Sequence, residues 1–346
     1  MQTQVHGGDI YTREYCYDFS TNINPFGMLE SVKKAAMEGV TNAVCYPDIE
    51  CRQLRSAIST KEHVAEEWIL CGNGAAELLF SLVTALRPRK ALLVSPGFAE
   101  YEQALKTTKC DIEFYRLKKE NGFRLDENYL DALSRLPDIA FLCSPNNPTG
   151  LLIDSVLLEK IILKCQENNI FLVLDECFLE FVSEELQNSG KKHLSKMQNL
   201  FILKAFTKMY GMPGLRLGYG LCSDTRLLYR MKQMMQPWNV SMPAQMAGIA
   251  ACKETEFAKK TRDYIEKERR YLYEQLNKLH FEIYPSYANY LFFEAPEDLY
   301  EICQRESILI RDCSNYRGLS NGYYRIAVKS HEDNEQLIRI LEKYYG

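Results

Sequence analysis

The chain has 346 residues, of which 46% are hydrophobic and 25% charged, an ordinary globular composition with enough length for one large domain and a smaller one. Its formal net charge is −4, and its lysines and arginines are dispersed, which argues against a nucleic-acid-binding surface. No apolar run approaches the roughly 18–20 residues of a membrane span, and residues 1–8 lack the apolar core of a signal peptide, so we expect no membrane partner.

Residues 1–27 are rich in Gly, Asn and Tyr and are predicted to form an irregular N-terminal arm. Seven short apolar runs follow, at residues 68–72, 90–96, 111–117, 139–145, 170–176, 199–206 and 215–221. Their length and content are typical of strands buried on both faces. They alternate with amphipathic helical patterns, which predicts an α/β fold with a mostly parallel sheet flanked by helices over a large domain, residues 28–237.

The pattern changes after residue 237. Residues 254–279 form a long charged helical pattern, followed by short strand candidates at 288–294 and 323–328 and a terminal helix at 331–345. This succession predicts a smaller α+β domain over residues 238–346.

The twelve cysteines are scattered, with no CxxC pair and no closely spaced set of Cys and His. Several lie inside apolar runs, such as Cys143 in IAFLCSP and Cys177 in LVLDECF. This arrangement favours buried free thiols in a reducing compartment over disulfides or a metal site. We therefore expect a cytoplasmic protein without a structural metal.

Polar motifs follow several of the predicted strands, where the carboxyl ends of parallel strands form the usual binding edge of the sheet. Gly72-Asn73-Gly74 joins a strand to a helix and could cradle a phosphate on backbone amides, although many helices begin with glycine. SPNNPTG at 144–150 is either a plain turn or a source of polar groups for a ligand.

Two charged residues at strand ends are more informative. Asp175 ends the run FLVL, so its carboxylate needs a partner; it either caps a turn or faces a protonated ring nitrogen. Lys208 lies in a turn after a strand, eight residues before Arg216. Taken alone, Lys208 is a surface lysine, but the neighbouring signals favour a functional amine.

These motifs give the chain a specific resemblance. It resembles the fold-type-I enzymes that use pyridoxal 5′-phosphate (PLP), in the branch of the histidinol-phosphate aminotransferases and threonine-phosphate decarboxylases, and most closely the latter. The similarity runs nearly end to end, through HGG (6–8), DFSTNINPFGM (18–28), YPD (46–48), WILCGNG (68–74), PGFAEY (96–101), FLCSPNNPTGLL (141–152), LDECF (174–178), TKMYGMPGLRLGY (207–219), ANYL (288–291), ILIRDCSNYRGL (308–319) and YYRIA (323–327).

The resemblance implies roles around the cofactor. Lys208 would carry PLP as a Schiff base and later move protons, and Asp175 would pair with the ring nitrogen. Asn147 would hydrogen-bond the ring oxygen O3′, and Tyr101 would stack on the ring. A further group would hold the cofactor phosphate: Gly74, Ala75, Thr207, Arg216 and, from a neighbouring subunit of a homodimer, Tyr46.

The resemblance also implies a small phosphorylated amino acid as substrate. Arg325 would clamp its carboxylate through bidentate hydrogen bonds, with Asn147 beside it. Arg311 and His6 are candidates for the substrate phosphate, unless Arg311 is a surface salt-bridge partner of Asp312 or of another neighbour.

Two positions depart from the relatives. Ala205 stands where many have a serine that binds the cofactor phosphate, which predicts weaker PLP binding by about one hydrogen bond, ~1.5–3 kcal/mol. Phe178 stands where the aminotransferases usually have a tyrosine that donates to O3′. The loss of that tyrosine favours a decarboxylase.

The expected reaction is decarboxylation of L-threonine O-3-phosphate to (R)-1-amino-2-propanol O-2-phosphate, a step of cobalamin biosynthesis. The alternatives are a histidinol-phosphate aminotransferase, a decarboxylase of serine phosphate, and a non-catalytic module such as the effector domain of a transcription regulator. The complete set of Lys208, Asp175 and Arg325 argues against the last.

Overall fold

The computed structural model describes residues 7–12, 14–183 and 188–346. Its central element is a seven-stranded sheet, and each of the seven predicted apolar runs contributes one strand to it. In spatial order the strands are Ile69–Gly72, Gly218–Leu221, Leu200–Ala205, Phe171–Asp175, Ile139–Cys143, Lys90–Ser95 and Asp111–Arg116. Only Gly218–Leu221 runs antiparallel to its neighbours, so the sheet is mostly parallel as predicted.

Helices cover both faces of this sheet, which explains the continuous apolar character of its strands. Successive strand residues enter different cores: Leu172 and Leu174 belong to one hydrophobic cluster and Val173 to the other. The helices of this part of the chain are Glu30–Thr41, Arg52–Glu62, Ala75–Leu86, Ala99–Lys106, Tyr129–Leu133, Ser155–Glu167 and Thr225–Met234. The predicted α/β fold class is confirmed.

The C-terminal part contains a four-stranded antiparallel sheet in the order Arg311–Asp312, Tyr323–Ala327, Tyr290–Glu294 and Glu282–Tyr284. Its helices are Met242–Ala251, Thr255–Lys278, Leu299–Arg305 and His331–Tyr345. The first of these packs against Glu30–Thr41, so the two parts share packing across residue 237. The domain boundary at 237/238 stays a prediction.

The segment predicted as an irregular arm contains one short strand. Tyr17–Asp18 pairs in parallel with Ile308–Leu309, which ties the segment to the C-terminal part. Further along, Arg325 Nη2 donates a hydrogen bond of 2.9 Å to the carbonyl of Ser20. The segment therefore lies against the strands that carry Arg311 and Arg325. No helix in the part of the chain that the structure describes is long and apolar enough to cross a membrane.

Candidate active site

A cavity of about 550 Å³ lies where the carboxyl ends of the parallel strands meet the C-terminal sheet. Strand-end loops supply one wall and the two arginine-bearing strands another. Most of the residues predicted from the sequence line it: Ala75, Asn147, Asp175, Thr207, Lys208, Arg216, Arg311 and Arg325. The residues between positions 75 and 216 converge because the strands of a parallel sheet end at one edge, and the C-terminal sheet adds Arg311 and Arg325.

Lys208 lies in the loop after the strand Leu200–Ala205. The amide of Asn24 donates to the Lys208 carbonyl at 3.1 Å, which fixes the backbone of the lysine. Burial lowers the pKa of the Lys208 amine to about 8, and the positive charges of Arg325 and Arg216 act in the same direction. A larger fraction of this amine is therefore unprotonated near neutral pH, as a nucleophilic lysine requires.

Asp175 ends its strand with the carboxylate at the cavity wall. One oxygen, Oδ1, accepts from the backbone amide of Cys177 at 2.9 Å, so Asp175 does cap a turn, the first of its two predicted roles. The other, Oδ2, accepts from the hydroxyl of Tyr101 at 2.6 Å. Burial raises the pKa of Asp175 despite these two donors. A cationic ring nitrogen in the cavity would offset that cost, so the carboxylate fits the predicted role as well as the turn.

Tyr101 is not among the described residues that line the cavity. Its own ring packs on Phe141 with centroids 5.2 Å apart, and its hydroxyl faces Asp175 from behind the cavity wall. Phe98, from the same motif, does line the cavity and contacts Tyr101 edge-on, with ring centroids 5.5 Å apart. The stacking role of Tyr101 stays a prediction, and the geometry favours Phe98 for it: Tyr101 supports Asp175, and Phe98 faces the ligand space.

The residues predicted to bind the cofactor phosphate lie close together, because the backbone at Gly74 approaches the guanidinium of Arg216. Gly74 has φ +81°, and a Cβ there would lie 2.5 Å from Nη2 of Arg216. The helix Ala75–Leu86 that begins beside it has no side-chain cap, so its first amides are available to an anion. Ala205 and Thr207 also line the cavity. An anion bound here would meet amides, a hydroxyl and a guanidinium, which fits a phosphate group.

Arg325 and Arg311 lie directly opposite each other on paired antiparallel strands, so their side chains project from the same face of the sheet. Arg325 is 6% exposed and donates through Nη1 to Asn147 Oδ1 at 2.5 Å. Its Nε is buried and has no hydrogen-bond partner among the described residues. A buried donor without an acceptor is rare in folded proteins, and a ligand carboxylate would supply one.

Arg311 is 8% exposed and donates through Nη2 to Asn315 Oδ1 at 2.7 Å. Its contact with Asp312 goes to the backbone carbonyl, while the Asp312 carboxylate accepts from the amide and hydroxyl of Ser314. The geometry therefore differs from the surface salt bridge considered as an alternative. Arg311 adds a second guanidinium to the cavity wall.

Tyr46 does not line this cavity in the single chain. Tyr46 is 78% exposed and stacks on Trp238 with centroids 4.5 Å apart, so a role at a cofactor requires the cavity of a second subunit. His6 lies outside the described residues. The next residue, Gly7, lines the cavity, and the amide of Gly8 donates to Ser20 Oγ at 2.7 Å.

Several residues at the cavity were not singled out from the sequence, namely Phe98, Asn22, Asn315, Tyr316 and Arg317. All lie within motifs quoted for the resemblance, so the motif boundaries were informative. The residue types within those motifs were not informative, because aromatic and amide side chains also occur in turns and cores that bind no ligand.

The chain is similar to known proteins over nearly its whole length. Residues 15–341 match the family model described as aminotransferase class I and II. The chain is 37% identical to the threonine-phosphate decarboxylase of Salmonella typhimurium, over 97% of this chain and 95% of that protein. The crystal structure of the histidinol-phosphate aminotransferase from Clostridium acetobutylicum superposes with a TM-score of 0.88 at 30% identity, covering 94% of this chain and 98% of that one. That of L-threonine-O-3-phosphate decarboxylase from Porphyromonas gingivalis gives 0.81 at 26% identity, over 94% and 98%.

Proposed function

We propose a specific reaction for this chain, which belongs to the class I and II aminotransferase family and is a PLP-dependent enzyme. The reaction is the decarboxylation of L-threonine O-3-phosphate to (R)-1-amino-2-propanol O-2-phosphate. The observation that carries the proposal is the pair of guanidiniums, Arg311 and Arg325, opposite each other on adjacent strands of one cavity wall. A substrate with a phosphate at one end and a carboxylate at the other has one anion for each. The similarity to a threonine-phosphate decarboxylase supports the same reaction and its place in cobalamin biosynthesis.

PLP, when bound, withdraws electrons from the substrate Cα, so the reaction depends on how the protein orients the bonds to that atom. On the protein side, Lys208 has an amine whose pKa of about 8 suits both attachment and proton transfer near neutral pH. Asp175, at the cavity wall, would face the ring nitrogen and supply a negative charge there. The groups that would hold the cofactor phosphate are Gly74, Ala75, Thr207 and Arg216.

The two arginines determine the orientation of the substrate in this proposal. Arg325 has an unpaired buried Nε and receives the carboxylate, while Arg311 receives the phosphate. Two anchors fix the rotation of the substrate about its N–Cα bond, and one anchor does not. Threonine lacks the phosphate, so it should bind weakly and in mixed orientations.

The direct test incubates purified enzyme with threonine phosphate and assays CO2 and keto acid separately. We expect CO2 to exceed keto acid, and threonine to be a poor substrate. Arg311→Ala should reduce turnover of threonine phosphate much more than any residual activity on threonine. Equal losses on both substrates would remove the phosphate assignment of Arg311.

A histidinol-phosphate aminotransferase is the second candidate, because a solved enzyme of that kind has a TM-score of 0.88 at 30% identity. Its substrate also carries a phosphate, so Arg311 alone does not separate the two reactions. Phe178 does favour the decarboxylase, since it lines the cavity without a hydroxyl. Brisk conversion of histidinol phosphate with 2-oxoglutarate, without CO2 release from threonine phosphate, would replace the first proposal with the second. Serine phosphate in the same assay tests the shorter substrate.

A cytoplasmic homodimer with shared active sites completes the proposal. Its support is the exposed aromatic pair of Tyr46 and Trp238, which are 78% and 44% exposed in the single chain. Large aromatic rings in contact with solvent are typical of association surfaces. Light scattering should give twice the mass of the 40.1 kDa chain. A fully active monomer at the assay concentration would contradict the dimer.

A further inference from the structure

Two side chains donate hydrogen bonds to the same atom of the Asn147 side chain, its amide oxygen Oδ1. Its Oδ1 accepts from Arg325 Nη1 at 2.5 Å and from the hydroxyl of Tyr316 at 3.3 Å. A guanidinium donates and cannot accept, so the amide oxygen must face it and the nitrogen must point the other way. Asn147 lines the cavity. The two donors therefore present its Nδ2 as a hydrogen-bond donor towards the ligand space.

Arg325 is a poor sole anchor for this amide because it has other partners. It also donates to the carbonyl of Ser20 at 2.9 Å, and in the proposed function it binds the substrate carboxylate. Tyr316 supplies a second donor to the same oxygen, and the proposed function assigns it no contact with the substrate carboxylate. Burial raises the pKa of Tyr316, although the charge of Arg325 opposes the rise, so the phenol stays protonated and remains a donor.

Phe178 makes the orientation of Asn147 more important. Its ring lines the cavity, with Lys208 Nζ 5.8 Å from the ring centre, and it has no hydroxyl to offer a cofactor. The sequence places a phenylalanine where related aminotransferases have a hydroxyl donor to the cofactor ring oxygen. The Asn147 amide must then serve that oxygen without help from position 178.

Tyr316 also contacts the second arginine of the cavity. The centre of its ring lies 5.0 Å from Cζ of Arg311, within the range of a cation–π contact. One side chain thus touches both the asparagine at the cofactor and the arginine proposed for the distal phosphate. Its loop follows directly on the strand Arg311–Asp312.

We propose that Tyr316 is a positioning residue that orients the Asn147 amide towards the ring oxygen of PLP, in place of the hydroxyl absent from Phe178. The proposal rests on the cofactor and not on which reaction the enzyme performs. Its measure is therefore spectroscopic: the pKa that governs the visible absorbance of the bound cofactor, obtained by titrating the holoenzyme without substrate.

A donor to the ring oxygen stabilises the form in which that oxygen carries more negative charge, which is the deprotonated form of the Lys208–cofactor linkage. Tyr316→Phe loosens Asn147 and should raise the spectroscopic pKa by about half a unit to one unit, the effect of a weakened hydrogen bond. Asn147→Ala should raise it at least as much. The double variant should equal Asn147→Ala alone, because Tyr316 acts through that side chain.

Tyr290→Phe is the matched control. Its hydroxyl donates to the carbonyl of Asn146 at 2.7 Å, so its removal loosens the same loop without touching the Asn147 side chain. We expect no shift of the spectroscopic pKa in this variant. An unchanged pKa in Tyr316→Phe, or a shift in the double variant equal to the sum of the single shifts, would overturn the proposal. Failure of the decarboxylation assay alone would leave it standing.

Discussion

Lys204 and Lys208 lie four residues apart, and their surroundings differ in how charge is compensated. Lys204 is 1% exposed and lies 3.2 Å from Oε2 of Glu62. Glu62 also accepts from Lys191 at 2.7 Å, from Lys61 at 3.1 Å and from the hydroxyl of Tyr219 at 2.6 Å. We call these five residues the Glu62 cluster. Lys208 instead faces the cavity beside two arginines, where positive charge is in excess.

The pKa values show what this difference does. Burial alone would raise the pKa of Glu62, but the ammonium groups of Lys204, Lys61 and Lys191 hold it well below its usual range. At Lys208 burial and the neighbouring arginines lower the pKa together. The first arrangement stabilises charges away from the cavity, and the second lowers the pKa of an amine that lines it. Lysine burial alone therefore does not distinguish a structural role from a functional one.

The largest expected effect is that of removing the amine at the cavity. Lys208→Ala should lower turnover by about four orders of magnitude, or ~5.5 kcal/mol in the barrier, since attachment and proton transfer both depend on it. Borohydride should fix the cofactor to Lys208 in the wild type and to no residue in the variant. Lys204→Met is the control, which should lose stability and keep the adduct. A borohydride-stable adduct elsewhere in Lys208→Ala would contradict the assignment.

The next effect concerns Asp175. Asp175→Asn should fold but lose two to four orders of magnitude in turnover, because breaking a buried charge pair costs about 3–5 kcal/mol. Tyr101→Phe removes only the 2.6 Å hydrogen bond to Oδ2 and should cost about tenfold. Steady-state kinetics of both variants give the comparison. Asp175→Asn within threefold of wild type would show that Asp175 only forms the turn with Cys177.

A smaller effect, on stability rather than turnover, is expected in the Glu62 cluster. Glu62→Gln leaves three lysines around a neutral amide and should lower the free energy of unfolding by about 3 kcal/mol. Turnover at 25 °C should change little, since no member of the cluster lines the cavity. Glu66→Gln, at an exposed glutamate nearby, controls for the loss of one charge. Urea unfolding checks the prediction, and equal stability of the two variants would contradict it.

The residues at the cavity and the Glu62 cluster also differ in how far the sequence predicted them. Asp175, Asn147 and Lys208 were found because each follows an apolar run, and parallel strands end at the same edge of a sheet. The pairing of Arg311 with Arg325 depends on strand register, which a separation of fourteen residues does not determine. The resemblance named both arginines, and the structure placed them face to face.

Where the sequence failed, the reason was the direction of a side chain. Phe98 and Tyr101 are three residues apart at the start of one helix, and composition does not say which ring faces the cavity. The Glu62 cluster was missed although a signal existed. Lys204 interrupts the apolar run NLFILKAF, and a lysine in a strand buried on both faces requires a buried partner. That partner, Glu62, comes from a helix 142 residues away in the chain.

The smallest expected effect tests the contrast between Lys208 and the Glu62 cluster most directly, because it measures the reactivity of the lysine amines. With a pKa of about 8, Lys208 of the cofactor-free protein is about one-tenth unprotonated at pH 7 and half unprotonated at pH 8. Its rate of acetylation by acetic anhydride, measured by peptide mass spectrometry, should therefore rise about fivefold between these pH values and level off above pH 9.

Lys204 and Lys61 should stay unlabelled, because Glu180 and Glu62 hold the pKa of Lys61 well above its ordinary value and Lys204 is shielded. Exposed Lys33 calibrates the reagent. Arg325→Met removes a repulsive charge and should move the Lys208 midpoint upward. A rate that keeps rising through pH 10 in the wild type would show that the amine at the cavity is as basic as an ordinary lysine, and the contrast with the Glu62 cluster would then rest on geometry alone.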